Sequence, residues 1–243
     1  FGELIHAECG YLHDLRGIKM ADKGEGLWRR DHSIRRDGDL YPTHGLGPIA
    51  QCMDINRGNK FDYLVSVGCK SRGLDLYADE HYGKDSPKGK EKYALSDVVT
   101  TIIKTHNEET IVITHDTNAP RPYSRDILVQ GTKGIARKYP KPLIHLEGLS
   151  PAHRWEELNN YKDDHWHPVW KEMDAMRAAK GSEGMRGGHG GMDYVESYRL
   201  INALLKGVEP DMDVYDAAAW SVVSELSERS IAAKGSPMMF PDF

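Results

Sequence analysis

The segment Leu40-Tyr41-Pro42-Thr43-His44-Gly45-Leu46-Gly47-Pro48 sets a phenol and an imidazole among two prolines and two glycines. Apolar spacing at Leu46, Ile49, Ala50 and Met53 predicts a helix from Thr43 to Ile55, with Thr43 as its N-cap and Gly58 as its stop. His44 would then occupy the first turn, where the positive end of the helix dipole favours the neutral imidazole. A neutral imidazole can take up a proton, which is what a general base does. The alternative is a structural histidine capping a turn. Pro42 would stiffen the entry, and Gly45 and Gly47 would let a ligand come close.

Tyr11 and His13 are two residues apart near the end of a β-like run, so they share a face, and Asp14 and Arg16 follow. Tyr123, in Arg121-Pro122-Tyr123-Ser124-Arg125, ends a hairpin connection and could reach a ligand; each of these aromatics could equally be an ordinary surface residue. Asp163-Asp164-His165-Trp166-His167, with His189, invites a metal reading, because His-x-His on a strand binds zinc. This stretch reads as helical, where residues two apart diverge, so no metal is expected. Carboxylates are plentiful, but no pair is singled out as the acid and nucleophile of an ordinary glycosidase. Gly187-Gly188-His189-Gly190-Gly191 lacks the spacing of a dinucleotide loop, and no Walker loop or Gly-x-Ser-x-Gly elbow occurs. A nucleotide cofactor would need another segment to hold most of it.

The elements that must position these groups read as an α+β design. Strands are expected over residues 3–12, 61–69, 97–105, 110–117, 126–130 and 134–138, with 142–147 at an edge. Asn107-Glu108-Glu109 and Gly131-Thr132-Lys133-Gly134 read as turns. Residues 13–40 look like a long polar loop of functional kind, and 79–93 like a solvated, Lys-rich excursion. Residues 155–180 read as a polar helix. Further helices are expected over 192–206, closed by Gly207, and over 213–234, from an Asp213 cap to Gly235 and Pro237. The sum is a large, mainly antiparallel, open-faced sheet with helices on one face.

With 32 basic against 37 acidic side chains, a nucleic-acid footprint is not expected. No apolar run approaches the roughly 18 residues of a transmembrane span. The three cysteines, Cys9, Cys52 and Cys69, lie far apart and read as buried free thiols. The opening at Phe1 reads as a strand entered from a segment outside this sequence.

The stretches GELIHAECGYLHDLR, WRRDHSIRRDGDLYPTHGLGPIAQCMDINRG, THDTNAPRPYSRDILVQGTKG and GHGGMDYVESYRLINAL together resemble glycoside hydrolase family 109, of the Gfo/Idh/MocA oxidoreductase superfamily. The resemblance spans nearly the whole chain. It implies one domain over residues 1–243, for substrate binding and oligomerisation, with an N-terminal Rossmann domain outside the sequence. It also implies α-N-acetylgalactosaminidase activity with tightly held NAD. In that scheme the sugar's C3 hydroxyl is oxidised, C2 loses a proton, the C1 aglycone leaves, water adds and C3 is reduced again. Such chemistry needs no carboxylate pair.

Carried over by position, His44 would be the base at the C3 hydroxyl, beside the nicotinamide with Tyr41. Tyr11 would transfer the C2 proton, its phenol pKa lowered by a neighbour such as Arg29. His13, Arg29, Tyr41 and Tyr123 would line the sugar; His189 and Asp193 fall in a family motif, with His189 a further candidate on the cofactor side and Asp193 without an assigned role. The resemblance further implies a homo-oligomer through the open face of the sheet and a periplasmic or envelope location. The segment from Arg16 to Trp28 is shorter than the family pattern leads one to expect, which would alter the rim met by the aglycone. A sugar dehydrogenase of the same superfamily, or a non-catalytic sugar-binding or dimerisation module, are the competing readings.

Overall fold

Alternating apolar and polar residues build a sheet with two unlike faces in the computed structural model, which describes residues 1–180 and 188–243. Its strands are β1 (Leu4–Leu12), β2 (Phe61–Gly68), β3 (Val98–Thr105), β4 (Thr110–Asp116), β5 (Leu128–Gly131), β6 (Gly134–Arg137), β7 (Leu143–Leu146), β8 (Glu156–Glu157) and β9 (Met238–Met239). They lie in the order β8-β7-β6-β5-β1-β4-β3-β2-β9. Among the described strands only β1 and β4 run parallel, and every other pair is antiparallel. The mainly antiparallel open sheet expected from the sequence is thus present.

Register sorts the side chains. Leu64, Ile103, Ile111, Ala7 and Val129 form one row across the inner face. Ser66, Thr101, Ile113 and Cys9 form the next. Helices α3 (Thr43–Cys52) and α9 (Val214–Ala232) cover these rows, bringing Leu46, Ile49, Trp220 and Val223 into the core. Burying each large aliphatic contributes about 1.5–3 kcal/mol. The opposite face carries Val65, Ile102 and Val112 in one row, with Ile102 43% and neighbouring Val67 63% exposed.

Several expectations need correction. Residues 13–40 are not one loop but contain α1 (Arg16–Lys19) and α2 (Glu25–Arg35), with Met20 buried at the end of α1. The excursion at 79–93 is unburied up to residue 92, but it takes in the end of α4 (Gly73–Tyr82) and the whole of α5 (Pro87–Lys90), and it buries Tyr93 against Met20, Leu74 and Ala78. Charged residues on the outer faces hid these small contacts. Thr43 is not the cap of α3: Pro42 holds that position, and the helix ends at Cys52. Proline at the helix entry costs no hydrogen bond, because that amide has no partner within the helix. Of the cysteines only Cys9 is buried, while Cys52 and Cys69 are exposed. The strand at 142–147 is not the edge, since β8 pairs outside β7.

The polar region after residue 155 begins with β8 before α6 (Lys162–His165) and α7 (Pro168–Lys180). There α8 (Gly188–Lys206) packs Val195 against Met173 of α7. The Asp213 cap of α9 is present as expected. Its carboxylate accepts from the Tyr215 and Asp216 amides, and Asp216 reaches back in a capping box.

Candidate active site

Two backbones in unusually close approach set the site. A Cβ on Gly45 would lie 2.5 Å from the Gly10 nitrogen and 2.8 Å from its oxygen, so the first turn of α3 rests directly on β1. Glycine at 45 is therefore required by packing rather than by a ligand. Pro48 lacks the amide that would bond the His44 carbonyl four residues earlier, a further irregularity in this turn.

This contact carries Tyr41 and His44 over Tyr11, at the end of β1. The ring centroids of Tyr11 and Tyr41 lie 4.5 Å apart, those of Tyr41 and His44 4.7 Å, and those of Tyr11 and His44 5.3 Å. The Tyr11 hydroxyl is 3.3 Å from His13 Nδ1. Tyr123, on the loop after β4, closes the group edge-on to His13 at 5.0 Å, and the Arg125 Nε donates to its hydroxyl at 2.7 Å. From α2, the Arg29 guanidinium lies 5.2 Å from the Tyr41 ring centre. Six residues chosen from distant stretches of sequence, Tyr11, His13, Arg29, Tyr41, His44 and Tyr123, thus form one cup.

The electrostatics of the cup separate its two candidate proton carriers. Burial, helped by the positive charges of Arg125, His189 and Arg29, pulls the His44 pKa below the usual histidine value, so the neutral imidazole prevails. The direction matches the expectation from the helix dipole, but desolvation is the main cause. Tyr11 runs against expectation. Arg29 does pull its pKa down, yet burial outweighs that pull and raises it, so the resting phenol keeps its proton. His189 stands outside the cup with an exposed side chain, its Nδ1 2.9 Å from Asp193, and acts on His44 through charge. Gly187, in the glycine-dense stretch before it, lies outside the described residues. Among the described residues no cluster of His, Cys, Asp or Glu could hold a metal, and Asp163-Asp164-His165 is helical.

Sequence reasoning missed a polar layer beside the cup. His115 pairs in register with Tyr11 and is only 2% exposed, with Nδ1 unpartnered; burial pushes its pKa down to about 3. Its alternation with Ile111 and Ile113 was the available signal. Lys19, 3% exposed, donates to Thr117 Oγ1 at 2.7 Å and Asn118 Oδ1 at 2.6 Å, and burial brings its pKa to about 7. Asp39, wholly buried just before Tyr41, has one unpartnered oxygen and a pKa pushed up to about 7 by desolvation. Nothing in the local sequence marks Lys19 or Asp39, because their burial is tertiary.

Comparison with known proteins matches this sequence to a family. The chain matches the model "Glycosyl hydrolase 109, C-terminal domain" over residues 1–243. A glycosyl hydrolase family 109 protein of Solibacter usitatus is 46% identical over the whole chain, which covers 54% of that relative. A Tannerella forsythia protein named alpha-N-acetylgalactosaminidase is 41% identical, again over the whole chain and 54% of its own length. The chain spans about half the length of these curated relatives.

Among solved structures, a levoglucosan dehydrogenase in complex with NADH superposes with a TM-score of 0.63 at 16% identity, over 100% of this chain and 60% of that one. An inositol dehydrogenase homologue from Azotobacter vinelandii, complexed with NADH and myo-inositol, gives a TM-score of 0.55 at 15% identity, over 98% of this chain and 57% of that one. These distant structures share the fold of Gfo/Idh/MocA oxidoreductases. At the level of sequence the chain belongs to glycosyl hydrolase family 109, matching the C-terminal domain of that family.

Proposed function

We propose that this chain forms the sugar-binding half of a retaining, NAD-dependent glycosidase that acts on terminal N-acetylgalactosamine. The observation that carries the reading is the aromatic cluster itself, in which the rings of a neutral His44 and a protonated Tyr11 stand edge to face with their centroids 5.3 Å apart. The Tannerella forsythia relative supports the choice of sugar.

The cup fits only one edge of a dinucleotide. The flat rings of Tyr41 and His44 suit the nicotinamide side. No glycine-rich turn between a strand and a helix stands beside them among the described residues to bind a pyrophosphate, so the phosphates would be held by another part of the protein. Bound NAD would supply reversible oxidation at the sugar's C3. An imidazole nitrogen of His44 accepts the C3 hydroxyl proton and later returns it. The Tyr11 oxygen exchanges the proton at C2; because its phenol is protonated at rest, His13 Nδ1 must first take that proton. Arg29 and the hydroxyls of Tyr41 and Tyr123 donate to the sugar's oxygens, and the ring faces exclude water from C3. We extend the proposal to a homo-oligomer formed through the open sheet face.

The test is to give the complete protein a chromogenic α-N-acetylgalactosaminide. Release of the chromophore without net NADH is expected. Net NADH from the free sugar, with no chromophore released, would make the protein a sugar dehydrogenase instead. The 243-residue chain alone should release none, and turnover at the complete protein's rate would overturn the half-site reading.

A further inference from the structure

Arg29 and Tyr41 form one wall of a cavity of about 100 Å³ whose other walls, Lys19 and His115 among them, the proposed chemistry does not use. It has room for about three water molecules, hence for a substituent of a few heavy atoms. Lys19, Arg29, His32, Arg36 and His115 all line it, and among the described residues no carboxylate does. Two of these cations already have partners: Arg29 donates to Glu25 at 2.7 Å, and Arg36 pairs with Glu228. His32 Nδ1 lies 3.2 Å from Arg36, whereas Lys19 and His115 hydrogen-bond to no anion. Lys19 spends two of its three donors on neutral oxygens, and His115 Nδ1 has no partner. A buried ammonium without a hydrogen-bonded anion is costly, and so is an idle buried ring nitrogen. The cost at Lys19 falls if an acceptor enters the cavity that both residues line.

We propose that this cavity is a subsite for a compact oxyanion (sulfate, phosphate or carboxylate), bound by Lys19 and His115 and carried as a substituent on the sugar. The source of the anion rests on reading the neighbouring cup as a sugar site; the anion chemistry of the cavity does not. Neutral His115, which lines the cavity, can donate through a ring N–H, and Lys19 through its remaining proton. Facing Lys19 are His115 and Asp116 from β4, Arg29 from α2, Asp97 before β3, and the neutral Thr117 and Asn118. Because burial holds the ammonium only half charged near neutrality, an arriving anion should draw a proton onto it. Occupancy should therefore weaken as the pH rises above about 7.

The experiment is calorimetric titration of the complete protein with sodium sulfate, N-acetylgalactosamine and its monosulfated isomers, in buffers of different ionisation heat. Lys19→Met is run beside the wild type after a check of its thermal unfolding. At least one sulfated isomer should bind more tightly than the plain sugar, with proton uptake near pH 7.5. Lys19→Met should weaken that isomer roughly ten- to hundredfold and leave the plain sugar little changed. Saturable, Lys19-dependent binding of free sulfate with no gain for any sulfated sugar would uphold the oxyanion site and make a free ion its occupant. If Lys19→Met does not fold, proton uptake by the wild type decides alone. Absence of both sulfate binding and proton uptake, or equal loss of plain and sulfated sugars in the variant, overturns the proposal. Failure of the plain sugar to bind while sulfate binds would instead sink the glycosidase reading and spare this one.

Discussion

At the scale of single residues the site stands on groups whose charge burial has altered. His44→Ala in the complete protein should lower kcat by roughly 10²–10⁴-fold, as loss of a general base does, while KM changes little. Equal losses in kcat and in affinity would make His44 a binding residue. Behind the cup, His115 and Asp39 set up opposing pH dependences of stability. The folded pKa of His115 is about 3 against 6.5 unfolded, so between those values only the unfolded chain binds the proton, and stability rises with pH. Asp39, at about 7 folded against 3.8 unfolded, holds a proton only when folded, and stability falls as pH rises across that range. Each contributes a slope of about 1.4 kcal/mol per pH unit, and the two offset one another between about pH 4 and 6.5. His115→Phe should expose the Asp39 slope, with urea midpoints dropping from pH 4.5 to 6.5. Asp39→Asn should show the reverse. Parallel midpoint curves for all three proteins would mean that neither group carries the altered proton affinity.

At the scale of elements the question is how α3 is held in place. Gly45 lies against the backbone of Gly10, so a methyl group there meets peptide atoms that cannot rotate away. Gly45→Ala should cost about 1–3 kcal/mol in urea unfolding and, by lifting His44 from Tyr11, reduce activity more than stability alone explains. A variant of unchanged midpoint and activity would show that the helix has slack. The same element marks how far sequence alone reaches. The periodicity of Leu46, Ile49, Ala50 and Met53 foretold the helix, and that of Val214 to Ile231, behind its Asp213 cap, foretold α9. Alternation likewise foretold the large strands. What escaped was whatever depends on third-party contact: the helices α1, α2, α4 and α5, whose few buried residues are scattered, and the burial of Lys19 and Asp39. Spacing singled out His44, Tyr11, His13 and Tyr123 as candidates without deciding between a functional and an ordinary reading, and the resemblance to a family supplied their roles and added Arg29. Their convergence depends on the parallel β1–β4 pairing, which no local pattern announces.

At the scale of the whole molecule, among the described residues α3 and α9 cover one face of the sheet, and the other face is partly exposed. Val65, Ile102 and Val112 form a continuous β-branched row there, with Val67 beside it. Such a row is flat and apolar, and an isologous contact can lay it across its own copy. A second exposed apolar stripe competes for the role: Ile201, Leu204 and Leu205 on α8 are 56%, 69% and 79% exposed. The two surfaces belong to different elements, so charge placed on one should not disturb the other. In sedimentation of the complete protein, Ile102→Glu should shift the oligomer toward monomer, because a carboxylate would face its symmetry mate across a dry contact. Leu204→Glu should leave the oligomer intact. The opposite pattern would move the interface to α8 and free the sheet face for another partner. A wild type that sediments as a monomer at every concentration would remove the oligomer altogether.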